Sequence, residues 1–320
     1  MYKIMKWRNI FVLMIFVTIF SACYDEDKII PLESDDEILR YEFPQGENAW
    51  DQDIVEISEQ FGVYLIYKNF KENDFNRSWT GSGLGGTLYY GYDLTDEQAE
   101  FSTNFMKNHI FAHLNKAIVN KVLPMYWYMV YDYHTSTEFI PGMAFKVAQR
   151  FYDEGLDFWG ICLFYGDPCP LTGETIETPE TPEEFRLRRC ATLGEIFQES
   201  FDKGNFVIPT GFTDGFDYKT EVLSNDADKL DENYYIMRGF PGIMDPDFDG
   251  FSPVYKNPTP LNQHFMEYIK IAMRYTKAEY EEMWPSATYR LIHEKRQFVI
   301  DYMKNTYGVD LEKIAELIGE

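Results

Sequence analysis

His109 and His113 stand four residues apart in the segment His-Ile-Phe-Ala-His. On a helix that spacing puts two imidazoles on one face, an arrangement able to grip zinc. A zinc hydrolase also places a general base directly after the first ligand, and here that place holds Ile110. Histidines beside apolar neighbours are usually packing residues, so the pair is read first as core. Asp245, Asp247, Asp249 and Gly250 spell Asp-x-Asp-x-Asp-Gly. Alternating carboxylates around a glycine turn are what a calcium loop requires. Position twelve of that loop is Lys256 rather than a glutamate, and no helical pattern leads into it. A looser calcium site or a polar turn remains. Asp132, His134 and Glu138 fall near the end of a predicted strand and read as polar residues at a cleft edge. The run GSGLGG at 81–86 lacks the Lys-Ser/Thr ending of a phosphate loop. No Gly-x-Ser-x-Gly elbow and no Cys/His nucleophile pattern occurs.

These residues have to be positioned by a mixed set of elements. Ile54, Ile57 and Phe61 recur at helical spacing, with Gly62 as the stop. Residues 63–67, 125–132 and 157–165 read as strands. Thr95-Asp96-Glu97-Gln98 is a capping box that opens a helix expected to reach about Val122. Residues 172–184 form a polar loop before a helix over 185–201. Residues 202–260 are rich in Gly, Pro and Asp and show little periodicity. Long helices are expected over 261–283 and 286–305, then a short one from Asp310. The pattern predicts an α+β domain with a small sheet in its N-terminal half.

Residues 1–22 carry Lys3, Lys6 and Arg8, then an apolar run from Ile10 to Phe20. This is the pattern of a secretory signal peptide, and the run is too short to span a bilayer. Phe20-Ser21-Ala22-Cys23 resembles a bacterial lipobox, with Cys23 as the lipidated thiol. The acidic cluster Tyr24-Asp25-Glu26-Asp27 resembles the surface-export signal of Bacteroidota lipoproteins. Residues 23–48 read as an acidic tether, and 49–320 as one domain. The net charge is −24, which repels nucleic-acid phosphates and excludes that class of partner. Aromatic residues make up 18% of the chain, enough for a substantial core. Cys162, Cys169 and Cys190 remain beside Cys23, so at most one internal bridge can form among them; none has zinc-finger spacing.

Three stretches carry a family resemblance: WDQDIVEISEQFGVYLIYKNF at 50–70, GFSPVYKNPTPLNQHFMEYI at 250–269, and the EKR helix leading to Tyr307-Gly308-Val309-Asp310-Leu311. The chain resembles the zinc-dependent metallohydrolase-like lipoproteins of Bacteroidota, which accompany outer-membrane nutrient-import systems. The resemblance implies a zincin-like α+β fold, with two zinc ligands on one helix and a third on a later helix. It places Gly194-Glu195-Ile196-Phe197-Gln198 where the family carries His-Glu-x-x-His. The glutamate survives as Glu195, while both ligand positions hold Gly194 and Gln198. The third ligand position falls on Gln263, in Asn262-Gln263-His264-Phe265. Hydrolytic zinc needs three strong ligands and an open position for water. No histidine occurs between 135 and 263, so no shift of register restores the motif.

The expectation is therefore a catalytically inactive relative of zinc metallopeptidases, with a vestigial Glu195. Its old cleft, formed by Gly194, Glu195, Gln198, Gln263 and His264, would hold a peptide or glycan without cofactor. The partners implied are outer-membrane lipid through Cys23 and a TonB-dependent transporter complex. One alternative is an active zinc enzyme with a site rearranged around His109, His113 or His264. Another is a purely structural accessory lipoprotein.

Overall fold

The structure, a computed structural model, describes residues 39–319 apart from 77–87, 141–142, 154, 156, 170–172, 174–176 and 226. The signal peptide, Cys23 and the GSGLGG run lie outside the described residues. The folded unit runs from Tyr41 to Glu320, so residues 41–48 belong to the body rather than to a tether. Tyr41 is buried edge-on to Tyr126 and Tyr128. The buried Gln45 amide donates to the Lys68 carbonyl (2.7 Å) and accepts from the amides of Tyr67 (2.7 Å) and Lys68 (3.2 Å). Gln45→Ala leaves those backbone groups without this partner and is expected to cost about 1–2 kcal/mol, read as a lowered midpoint in urea.

Helix α1 (Ala49–Phe61) ends at Gly62, whose φ of 71° suits a glycine and whose amide donates to the Ser58 carbonyl (2.8 Å). Strand β1 (Tyr64–Ile66) follows, then the short α2 (Glu72–Phe75) and strand β2 (Leu88–Tyr92). Strand β3 (Tyr126–Ile140) is the axis of the sheet. Its first half pairs in parallel with β1 and with β6 (Phe158–Phe164). Its second half pairs antiparallel with β2 and with β4 (Met143–Ala148). Strand β5 (Phe151–Tyr152) closes the order on β6. Asp132 sits at the exchange of partners with a φ of +50°. Its carboxylate accepts from Lys146 Nζ (2.6 Å) on β4 and from the Gly166 amide (3.1 Å) beyond β6. The His134 ring lies 2.7 Å from the Asp132 carbonyl and stacks on Tyr90. These contacts give Asp132 and His134 a structural role at the exchange point.

Both faces of the sheet are covered where its strands pair in parallel, which explains why residues 126–130 and 158–163 are apolar at nearly every position. Trp127, Met129, Trp159, Ile161 and Leu163 face the helices in the main core. Tyr126, Tyr128, Phe158 and Cys162 face a second, aromatic cluster with Tyr41, Phe75 and Tyr133. This is the α+β architecture read from the sequence: a mixed sheet in the N-terminal half and helices in the C-terminal half.

Two helices are shorter than their periodicity predicts. Helix α3 is Asp96–Phe105, capped by Thr95 and Gln98 as expected. It then widens into a π turn (Met106–Ile110) and tightens into a 3-10 turn (Phe111–His113). Asn115 ends the run, its side chain accepting from the amides of Ala117 (3.0 Å) and Ile118 (3.1 Å). Helix α5 is Leu261–Arg274, and α6 (Lys277–Met283) begins anew. Extended Tyr275 breaks them, and Thr276 with Glu279 makes a fresh capping box. Helix α4 (Pro182–Asp202) lies earlier in the chain, and β7 (Ile243–Met244) and β8 (Phe251–Ser252) form a two-stranded ribbon. Helices α7 (Arg290–Tyr307) and α8 (Leu311–Ile314) finish the body. Among the described residues no helix is long and apolar enough to cross a membrane.

Candidate functional site

Helix α4 starts at Thr181, whose hydroxyl accepts from the Glu184 amide, with Pro182 in the first turn. Positions 184, 187, 188, 191, 192 and 195 recur at three- and four-residue intervals and share one face. That face lines a cavity of about 800 Å³. The opposing walls come from Gln149 to Asp153 around β5, from Ile161 and Leu163 of β6, and from Pro246, Asp247 and Asp249. Glu177 and Pro179 close one end. The lining mixes apolar residues such as Phe151, Ile161, Leu163, Leu187 and Ala191 with polar and charged ones, carboxylates foremost among the latter.

Glu195 is half-buried here. Burial, and then the negative charge of Asp153, push its carboxyl up, while Lys270 on α5 pulls it down. Arg188 stands two turns earlier on the same face. Burial pushes its guanidinium down to about 10, and its Nη2 donates to the Glu177 carbonyl (3.1 Å). Arg150 forms an ion pair with Asp247 across the cavity wall. The cavity thus has an acidic end at Glu195 and Asp153 and carries a guanidinium at Arg188.

The other sequence-predicted cleft residues are placed differently. Gly194 is buried on another face of α4, against Phe248. A Cβ there would lie 2.8 Å from the ring tip of Phe248. Gln198 is half-buried and donates to Asp202 (3.2 Å) one turn on. Gln263 is exposed in the first turn of α5. His264 is fully buried rather than at a cleft. Its Nε2–H donates to the Gly239 carbonyl (2.9 Å), so Nδ1 accepts from the Tyr218 hydroxyl (2.9 Å). Phe240 stacks on the ring at 4.5 Å and Phe216 lies tilted beside it at 4.6 Å. Burial holds the imidazole down at about 4. Of the five residues expected to converge, only Glu195 lines the cavity.

His109 and His113 are also core residues. Arg189 is fully buried between them and the C-terminal segment. It donates to His109 Nδ1 (2.9 Å) and to the carbonyls of Ile314 (2.9 Å) and Glu316 (2.5 Å). The His109 ring stacks between Phe105 and Phe185. Burial, reinforced by the Arg189 charge, holds both imidazoles at about 4.

The Asp245–Gly250 loop is closed by its own chain. Asp245 accepts from the amides of Asp249 (3.0 Å) and Gly250 (2.5 Å), and Asp247 is held by Arg150. Among the described residues no group of three His, Cys, Asp or Glu side chains converges to hold a metal ion. The donor set around Glu195 does not fit hydrolytic zinc, which is held by three strong ligands. Cys162 and Cys190 are buried thiols that donate to the carbonyls of Phe164 and Met273 (3.2 Å each), and burial pushes them up to about 11 and about 12. Neither has the lowered thiol of a nucleophile.

Arg150, Asp153 and Arg188 were not singled out from the sequence. Residues 184, 188, 192 and 195 do repeat at helical intervals, and that polar stripe was legible. The partners across the cavity come from segments tens of residues away, and no local pattern ties them to α4.

No protein-family model matches the chain, and no curated protein matches it. A crystal structure described as a "putative zinc-binding metallo-peptidase" from Bacteroides caccae is similar at 10% identity, covering 84% of this chain and 89% of that one, with a TM-score of 0.39.

Proposed function

We propose that this chain is a surface lipoprotein on a zincin-like scaffold related to zinc metallopeptidases, which binds a peptide or glycan and no longer hydrolyses it. The observation that carries this reading is the composition of the cavity around Glu195. It is open and about 800 Å³ in volume, and among the described residues its lining contains no imidazole and no thiol. A glutamate with a raised carboxyl can still orient or hydrogen-bond a ligand. The open cavity favours this over a purely structural role. The rearranged-enzyme alternative needs the imidazoles of His109, His113 or His264, and those of His109 and His264 are committed to Arg189 and to the Gly239 carbonyl.

The place of action follows from the leader: Lys3, Lys6, Arg8 and the lipobox cysteine Cys23 support anchoring to outer-membrane lipid. The acidic run after Cys23 supports exposure at the cell surface, and the family resemblance supports work beside a TonB-dependent transporter in nutrient import. The test is metal analysis of the purified protein together with a peptide-cleavage assay. The expected result is well below one zinc per chain and no chelator-sensitive cleavage. Stoichiometric, tightly held zinc, or cleavage abolished by a chelator, overturns the proposal.

A further inference from the structure

The binding reading leaves the ligand open between peptide and glycan, and the charges of the cleft decide between them. Arg188 and Glu195 lie on one face of α4, seven residues apart. At a rise of about 1.5 Å per residue their backbones are about 10 Å apart along the helix. Among the described residues Arg188 makes one hydrogen bond, to the Glu177 carbonyl, out of the five N–H donors of its guanidinium. Its planar fork matches a carboxylate in two parallel bonds. The other guanidinium of the lining, Arg150, is already paired with Asp247. At the far end the two carboxylates of Glu195 and Asp153 stand close enough to repel each other. An ammonium placed there is attracted by both carboxylates. Between the two ends lie Ala191 and Thr192 of the same helix, and Phe151, Ile161 and Leu163 line the cavity with them. Such a strip accepts small apolar side chains.

Resting on the binding function proposed above, we infer that the cleft takes a short linear peptide with free termini, its C-terminal carboxylate on Arg188 and its N-terminal ammonium beside Glu195 and Asp153. An extended chain spans about 3.3–3.6 Å per residue, so a gap of about 10 Å selects roughly three residues. Longer peptides would have to leave one end of the cleft, and a single amino acid cannot reach both.

The experiment is calorimetric titration of the intact mature protein with trialanine, N-acetyl-trialanine, trialanine amide, and maltotriose as a neutral oligomer of similar length. Trialanine is expected to bind, and blocking either terminus should weaken binding by about tenfold or more, since each block removes a charge-assisted contact. Arg188→Gln should erase the difference between the acid and the amide while keeping the penalty for N-acetylation. Glu195→Gln should do the reverse. A variant that merely failed to fold would lose every ligand together, and circular dichroism identifies it; Arg188→Lys, which keeps the charge and loses the planar fork, then replaces Arg188→Gln and should shrink the difference between the acid and the amide without erasing it. Equal binding of blocked and unblocked trialanine overturns the inference. Binding of maltotriose with no binding of any peptide also overturns it, and leaves the wider binding function standing. Stoichiometric zinc with cleavage of trialanine overturns that wider function instead.

Discussion

Taking the protein from pH 7 to pH 4 is expected to remove most of its folding stability. Three imidazoles carry the effect: His109, His113 and His264, each held at about 4 in the folded state by burial. In the unfolded chain each titrates near 6.5. Between those values the unfolded state binds protons that the folded state refuses, so stability falls as the pH falls. At about 1.4 kcal/mol per pH unit for one proton, each ring contributes on the order of 3 kcal/mol across the window. Three rings together are comparable to the roughly 5–15 kcal/mol that holds a domain folded. Glu195 and Glu267 work against this, because burial raises their carboxyls and the folded state takes up their protons first. Glu279, held at about 2 chiefly by Arg186, adds to the loss below the ordinary carboxylate range. The measurement is urea unfolding at a series of pH values. The midpoint should drop steeply between pH 6.5 and 4, with net proton uptake on unfolding. A flat midpoint across that window contradicts the assignment of these rings as neutral core.

Putting a histidine back at position 194 is expected to damage the fold and not to create a zinc site. A glycine in the middle of α4 costs about 1 kcal/mol relative to alanine, so a packing reason must hold it there. That reason is the Phe248 ring, which fills the space a side chain would use, with contacts of 2.8 and 2.9 Å to the position of a Cβ. Phe248 has little freedom to retreat. Its φ is +60°, it is buried, and its carbonyl accepts from Arg274 Nε (2.6 Å). Arg274 is in turn held by Glu183 (2.6 Å). Gly194→His should therefore cost about 3 kcal/mol through overpacking, lowering the melting temperature by about 6–12 °C for a chain of this size. Gln198→His, at a half-buried position, should change stability by less than about 0.5 kcal/mol. Calorimetry of both single variants checks the contrast. The double variant should bind no zinc in a competition assay, because position 194 faces the Phe248 ring and the third-ligand position, Gln263, is an exposed amide in the first turn of α5. If Gly194→His is as stable as the parent, Phe248 does not hold that place.

How much of this was legible beforehand differs by element. The strands were, because alternate residues of 126–130 and 158–163 serve two apolar faces and leave almost no polar position. The capping box at Thr95 was, because its hydrogen bonds are local; the one at Thr181 fell inside the stretch read as a loop, and the helix starts at Pro182 rather than at 185. The break between α5 and α6 was not, although Thr276 and Glu279 formed a third box. The apolar period continues through it and hid it. The π turn at 106–110 was not read, because no local break marks it; His109 within it meets Arg189, eighty residues later. His264 next to Gln263 looked like a site residue, but its partners, Tyr218 and Gly239, lie in the segment with least pattern. For Glu195 the sequence indicated the helix face. The charges that give its cleft a polarity came only with the arrangement of β5 and the 245–250 loop.

Strand β3 borders four other strands, from residue 64 at one end to residue 164 at the other. Its register is thus decided by segments on both sides of it in the sequence, and the parallel half cannot be satisfied by a local hairpin. Contacts of such long separation are formed slowly. During synthesis, every stretch up to about Leu163 has to wait, with its aromatic faces exposed, for the last neighbour to arrive. A chain built this way depends on being kept extended or escorted until more than half of it has been made.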